Sequence, residues 1–174
     1  MGDQIYEKIG SDMDIFKRLA SKIPGFKGYI ERSNRRDADK LVRETVAKLY
    51  EEQWQRVSSL QRDFINRGEI SLIDDLEASA IKLRTFADRV RRAAYGYAGF
   101  FAAVKINEQE LAQMYKYDLK MLDLGDEVAR AIDHVEMSIG SDGLPAAIRN
   151  LTTLAQQSID VFNRREEVIL GNAQ

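Results

Sequence analysis

The chain has 174 residues, of which 44% are hydrophobic and 31% are charged, with a formal net charge of −2. This balance indicates one globular domain, and it excludes a disordered chain and a global field that would attract nucleic acid. The chain has no cysteine, which excludes disulfides, thiolate catalysis and cysteine-bound zinc and is compatible with a reducing cytoplasm.

The first predicted element is an amphipathic segment, residues 1–33. Between Ile15 and Ile23 the apolar residues fall on one side of a short helix, which ends at Pro24 and Gly25. The segment either folds back over one end of the core, or docks on a partner or an anionic membrane surface through residues 12–29. The candidate binding residues here are Phe16, Lys17, Arg18, Leu19, Lys22, Ile23 and Phe26.

Four apolar stripes with helical spacing follow, and they predict four long helices. The stripes begin at Leu41, Leu72, Leu111 and Ile148. The first continues through Thr45 and Leu49, then Val57, Leu60 and Phe64. No strand alternation competes with them. Short connections, such as residues 67–71 and 140–144, join antiparallel neighbours. We therefore expect an all-α fold in a single domain: an up-down-up-down four-helix bundle over residues 34–174, preceded by the amphipathic segment.

Capping residues mark the expected helix ends. Asn34 is suited to begin the first helix and Gly68 to end it, and Ser71 is suited to begin the second. Gly140 is expected to end the third helix, and Pro145 falls in the first turn of the fourth, where its missing N–H is tolerated.

An aromatic run, Tyr95 to Phe101, lies where the second helix is expected to end. It interleaves four aromatic residues with Gly96, Ala98 and Gly99. Glycine inside a helix costs about 1 kcal/mol, so a close backbone contact or a binding surface must require it. Tyr97, Phe100 and Phe101 complete the set of candidate binding residues, because in this topology the run and the amphipathic segment share one end of the bundle.

Asp118 lies on the third stripe, between Met114 and Met121, and is expected to be buried. A buried carboxylate needs a partner. If the second and third helices are antiparallel neighbours, Arg89 or Arg92 comes opposite, and we predict a structural ion pair.

The sequence contains no motif that is typical of a metal site or a catalytic site. A ferritin-like di-iron site needs two Glu-x-x-His motifs, whereas the one histidine, His134, has Ala131 three residues before it. Adjacent acids such as Asp74 and Asp75 point about 100° apart on a helix and do not converge. We expect no metal, no cofactor, no small-molecule substrate and no enzyme activity, and His134 should be an exposed or rim residue.

Charge is distributed unevenly along the chain. Residues 15–36 are strongly basic and residues 108–142 are acidic. We expect these regions to complement each other, either within the fold or across an oligomer.

The stretches Pro24–Tyr29 and Arg35–Lys40, together with the aromatic run, resemble an uncharacterised group of small all-helical bacterial proteins. The resemblance covers about the first hundred residues and implies a bacterial, intracellular, non-enzymatic protein. The stretch Ile15–Ala20 is also similar in character to the amphipathic N-terminus of phage-shock-protein-A-like membrane-stress proteins. The rest of the chain departs from that family, since its helices are shorter and suit a closed bundle.

The sequence therefore predicts a non-catalytic helical interaction or scaffold protein, with a protein partner or self-association. The alternative is a peripheral protein that binds a membrane surface through residues 12–29. The expected location is the cytoplasm, in the alternative at the inner face of the membrane, and no nucleic-acid partner is expected.

Overall fold

The computed structural model describes residues 13–32, 34–93 and 108–171. Helix α1 covers residues 13–22, and α2 covers Phe26–Glu31. The long helices are α3 (Arg35–Arg67), α4 (Ile73–Arg92), α5 (Glu108–Ser138) and α6 (Leu144–Gly171). A 3₁₀ turn, Ile70–Leu72, precedes α4. The described residues contain no strand, so the all-α prediction is confirmed.

The four long helices form the predicted bundle. Gln61 of α3 contacts Glu77 of α4, and Arg91 contacts Glu51, so these two helices run antiparallel. Lys82 and Arg89 of α4 contact Gln156 and Asn163 of α6, so α4 and α6 run parallel. Contacts of Tyr50 with Met121 and of Arg56 with Ala129 make α3 and α5 parallel as well. The helix directions therefore alternate along the chain as expected.

The order of the helices around the bundle differs from their order in the sequence. Helix α3 packs beside α4 and α5, and α6 packs beside the same two helices. Consequently α4 and α5, which follow each other in sequence, occupy opposite corners. The expectation that they are direct neighbours is wrong, because α6 packs beside α4 and α3 packs beside α5.

One cross-section of the bundle contains residues from all four long helices. The ring of Tyr50 lies 4.1 Å from that of Phe86, and its hydroxyl lies 2.9 Å from the Met121 carbonyl and 2.8 Å from Ser158 Oγ. We call this level the Tyr50 section. It separates the half in which α3 begins from the half that holds the α3–α4 and α5–α6 connections.

Local chemistry explains most helix ends. The Asn34 side chain accepts a hydrogen bond from the Asp37 N–H at 3.2 Å. Gly68 ends α3 with φ 76°, and Gly140 has φ 82° in the turn after α5, a conformation that favours glycine. The predicted role of Ser71 is wrong, since it lies within the 3₁₀ turn and Leu72 precedes α4.

The second half of the predicted α3 stripe is confirmed, since Val57, Leu60 and Phe64 are buried, but the first half is one residue out of phase. Leu41, Thr45 and Leu49 are half-buried, and the core residues are instead Val42, Val46 and Tyr50. Leu41 and Leu49 line the sides of α3: a Cβ on Gly25 would lie 3.7 Å from Leu41, and one on Gly125 only 2.5 Å from Leu49. Gly125 therefore permits the close approach of α5 to α3.

Candidate functional site

A cluster of four buried charged residues joins three long helices. Asp39 and Arg43 belong to α3, Asp118 to α5 and Arg165 to α6. Arg165 Nε donates to Asp118 Oδ1 at 2.5 Å, and its Nη2 donates to Asp39 Oδ1. Arg43 Nε donates to the other oxygen of Asp39 at 2.8 Å. We call these four residues the buried charge cluster.

The cluster is balanced in formal charge, with two carboxylates and two guanidinium groups. Such pairing is what keeps charges in a core, because an unpaired buried ion is very unfavourable. Arg43 Nη1 also reaches the Arg91 carbonyl at 3.5 Å, which ties the last turn of α4 to the cluster. Every long helix thus contributes an atom to the network.

Burial has a measurable consequence for Asp118. It raises the pKa of Asp118 to about 6, since loss of water outweighs the opposing attraction and hydrogen bond of Arg165. The nearby Asp39 carboxylate raises that pKa further, and Arg43 lowers it. Asp118 therefore titrates nearer to neutral pH than an ordinary aspartate does.

Beside the cluster, two buried side-chain atoms have no hydrogen-bond partner within the described part of the chain. They are Asp118 Oδ2 and the hydroxyl oxygen of Tyr115, both buried. Burial also raises the pKa of Tyr115, so this residue stays protonated at neutral pH. The edge of the Tyr115 ring packs on Phe26, with the two ring centroids 5.5 Å apart. Tyr115 thus connects the cluster to the N-terminal region.

The predicted burial and ion pairing of Asp118 are confirmed, but its predicted partners are wrong. Asp118 pairs with Arg165 instead of Arg89 or Arg92. Arg89 lies on α4, donates to Asn163 at 2.7 Å and stacks over the Phe162 ring, and Arg92 is exposed near the end of α4. The reason is the helix order, since α4 and α5 lie at opposite corners and α6 brings Arg165 to Asp118.

Sequence reasoning missed Arg165, Asp39 and Arg43. A signal for Arg165 was present: it lies three residues after Phe162 and four before Ile169, on the core stripe of α6. Asp39 similarly lies three residues before the core residue Val42. A charged residue at a core position needs an opposite charge at the same level of the bundle.

Helices α1 and α2 form an N-terminal arm, residues 13–32, that folds back on α3 and α5. Three of its candidate binding residues, Leu19, Ile23 and Phe26, are fully buried in the core. Phe16 is half-buried, with its ring 5.6 Å from that of Phe26. In this conformation the apolar side of the arm faces the bundle, and only the basic side is available to a partner.

The cations of the arm face an acidic surface of α5. Arg18 pairs with Asp123 at 3.3 Å, and Lys22 pairs with Asp123 at 3.2 Å and Asp126 at 3.3 Å. Burial lowers the pKa of Lys22, but its hydrogen bonds to the two carboxylates more than offset this and leave the pKa raised. The expected complementarity of the basic and acidic regions therefore occurs within the fold. Lys17 is exposed.

The candidate residues Tyr97, Phe100 and Phe101 lie outside the described residues. The expected proximity of the aromatic run to the arm therefore stays a prediction. His134 is exposed, as expected. Among the described residues, no group of three or more His, Asp or Glu side chains is placed to hold a metal ion.

Both ends of the bundle carry charged residues that form no ion pair within the described part of the chain. On the side of the Tyr50 section where α3 begins, they include Arg35, Arg36, Arg92 and Arg164, together with Glu167. We call this side the arginine end. At the connections on the other side, they include Glu69, Asp74, Asp75 and Asp142, together with Arg67 and Arg149. We call this side the acidic end.

The half of the bundle with the acidic end is acidic as a whole. Residues 51–85 and 122–157 contain 7 Lys or Arg and 13 Asp or Glu. The remaining described residues outside the Tyr50 section, which include the arm, contain 17 Lys or Arg and 12 Asp or Glu. Part of this difference comes from the arm, whose Arg18 and Lys22 pair with Asp123 and Asp126 of the acidic half.

Within the described ranges, no helix combines the length and the apolar character needed to cross a membrane. No family model, no curated protein and no solved structure matches the chain, so both sequence resemblances stay predictions.

Proposed function

We propose that this chain is a non-catalytic helical interaction module that binds a protein partner through the ends of its bundle. The observation that carries the proposal is the exposure of three large apolar side chains, Ile65, Ile70 and Met137, near the two connections at one end of the bundle. Unpaired charged residues of both signs lie at each end and can orient a charged partner before contact.

The use of the buried polar residues supports the same proposal. In the buried charge cluster, each carboxylate forms an ion pair with an arginine, and Arg165 pairs with carboxylates of two other helices. Such pairing is what a structural role requires. A rigid bundle with charged ends suits a scaffold, because its recognition groups are held on helices instead of on a moving loop.

Site-specific photocrosslinking in cells tests the proposal. A photoreactive residue is placed at Arg36 in the arginine end, at Ile70 beside the acidic end, and at Glu52 on the exposed flank of α3 as the control. We expect discrete adducts of defined mass from at least one end position and none from the flank. The same weak background at all three positions would contradict an end-directed interaction.

A second candidate is the peripheral membrane function, and the exposure of Lys17 together with Met13 at the free side of the arm favours it. It requires release of Leu19, Ile23 and Phe26 from the core. Co-sedimentation with anionic vesicles, compared between the native chain and the variants Lys17→Glu and Phe16→Ser, tests it. Reduced binding with an unchanged melting temperature would support this function, and equal sedimentation of all three proteins would exclude it.

A further inference from the structure

The N-terminal arm is docked in surroundings that resemble an anionic membrane surface. We propose that the carboxylates of Asp123 and Asp126 stand in for anionic lipid headgroups, so that they hold the arm on the bundle and compete with a membrane for its cations. This inference rests on the second candidate function, membrane binding through the arm, and describes how that binding is regulated.

Two kinds of contact dock the arm. Three of its apolar side chains are fully buried in the core: Leu19, Ile23 and Phe26. Its cations Arg18 and Lys22 meet carboxylates of α5 at 3.2 or 3.3 Å. The arm therefore meets an apolar interior that is edged by negative charge. A bilayer with anionic lipids offers the same combination to a basic amphipathic helix.

Side chains make the contacts between α1 and the long helices. Within the described residues, no backbone hydrogen bond joins α1 to a long helix. The turn after α1 is closed inside the arm, since the Phe26 N–H donates to the Ile23 carbonyl at 3.2 Å. Release of α1 therefore breaks apolar contacts and ion pairs, and it leaves the backbone hydrogen bonds of the long helices intact.

The ion pairs set how much of the arm is available. A membrane binds the released arm, so the apparent affinity is the intrinsic affinity reduced by the fraction of molecules in which the arm is released. A cation that pairs with Asp123 or Asp126 is not available to a lipid phosphate, and the pairs therefore lower that fraction. Loss of the carboxylates raises it, while the buried apolar side chains still keep most molecules closed.

Co-sedimentation of the full chain with vesicles of phosphatidylglycerol and phosphatidylcholine tests the inference. Asp123→Asn with Asp126→Asn should increase the apparent affinity for these vesicles by about three- to tenfold, the effect expected from loss of three exposed ion pairs. Asp133→Asn with Glu136→Gln is the matched control, because it removes two carboxylates of the same helix that pair with Arg56. This control changes the net charge equally and should change the affinity by less than about twofold.

A covalent lock provides a second measurement. The chain has no cysteine, so Arg18→Cys with Asp123→Cys introduces a single pair of thiols. A bismaleimide with a reducible spacer connects them and holds the arm on α5. We expect the connected form not to sediment with the vesicles, and reduction of the spacer to restore sedimentation of the same molecules.

Three results would overturn the inference while the membrane function stands. They are equal binding by the native chain and the Asp123→Asn, Asp126→Asn variant, an equal increase in the matched control, and equal sedimentation of the connected and reduced forms. The second of these would assign the effect to net charge, and the third would show that the arm binds without leaving the bundle. If no form of the chain sediments with anionic vesicles at any lipid concentration, the membrane function fails together with the inference.

Discussion

The buried charge cluster and the ion pairs of the N-terminal arm use the same chemical groups in opposite environments. Asp118 and Arg165 are fully buried. The side chains of Asp123 and Asp126, which bind the arm, are 33% and 50% exposed. In the core, removal of one group leaves its partner charged and without water, whereas in the arm water replaces the lost partner. The environment of an ion pair, more than its length, therefore decides how much stability is lost when the pair is removed.

The largest expected effect is loss of stability when Asp118 is replaced by alanine. The change leaves the Arg165 guanidinium buried with one carboxylate fewer, and breaking a buried pair typically costs about 3–5 kcal/mol. The free energy of unfolding at neutral pH, measured by denaturant titration, should fall by that amount. Asp123→Ala is the matched control, with an expected loss of at most about 1 kcal/mol.

A double-mutant cycle sharpens this prediction. The variant that combines Arg165→Met with Asp118→Ala should lose less unfolding free energy than the sum of the losses in the two single variants. The reason is that the second substitution removes the charge that the first left unpaired. Equal losses for Asp118→Ala and Asp123→Ala would show that burial does not distinguish the two regions.

The second effect is a pH dependence that originates at Asp118. Its pKa is about 6 in the folded chain and 3.8 as the ordinary value, so between these values the folded state holds a proton that the unfolded state has released. Stability contributed by this group therefore falls as pH rises from about 4 to 6, by about 3 kcal/mol in total. Burial raises this pKa most, Asp39 from α3 raises it further, and Arg165 from α6 and Arg43 from α3 oppose the shift.

The difference in unfolding free energy between the native chain and Asp118→Asn isolates this group from the other carboxyls. The native chain should gain stability relative to the variant as pH is lowered from 7 to 4. This does not conflict with the expected effect of alanine, since the pKa compares two protonation states while alanine removes the acceptor of Arg165 altogether. Parallel pH profiles for the native chain and the variant would contradict the assignment.

The sequence predicts the helices well because their signals are local. Periodicity places the core residues of α4, α5 and α6, and single residues such as Asn34, Gly68 and Pro145 mark helix ends by their own backbone preferences. The buried face of the first half of α3 is harder to predict. Leu41 and Leu49 are apolar, but they contact neighbours at the sides of the helix and do not point into its core. A helix with three neighbours has more than one apolar stripe.

The partner of Asp118 could not be derived from these signals. Its identity depends on which corner of the bundle α5 occupies, and the apolar stripes are the same whichever corner that is. Sequence reasoning therefore finds a buried carboxylate correctly and assigns its partner to the wrong helix. The arm shows the converse case, because complementary charge in two distant regions predicts their contact without any knowledge of helix order.

The smallest expected effect concerns the arm, and it tests the exposed side of the comparison. Asp123→Asn with Asp126→Asn removes both carboxylates that bind Arg18 and Lys22 while preserving side-chain size. Exposed ion pairs contribute about 0–1 kcal/mol each and are screened by salt. Global stability should therefore change by at most about 1–2 kcal/mol at low salt, and the difference should vanish at high salt.

Hydrogen exchange should show where the loss falls: the amides of residues 13–32 should exchange faster, while those of the bundle core stay protected. The apolar residues Leu19, Ile23 and Phe26 are unchanged and should hold the arm in place. Leu19→Ala is the comparison variant, because truncation of a fully buried leucine typically costs about 2–5 kcal/mol. A greater loss from the two asparagines than from this alanine, persisting at high salt, would mean that charge and not apolar packing fixes the arm to the bundle.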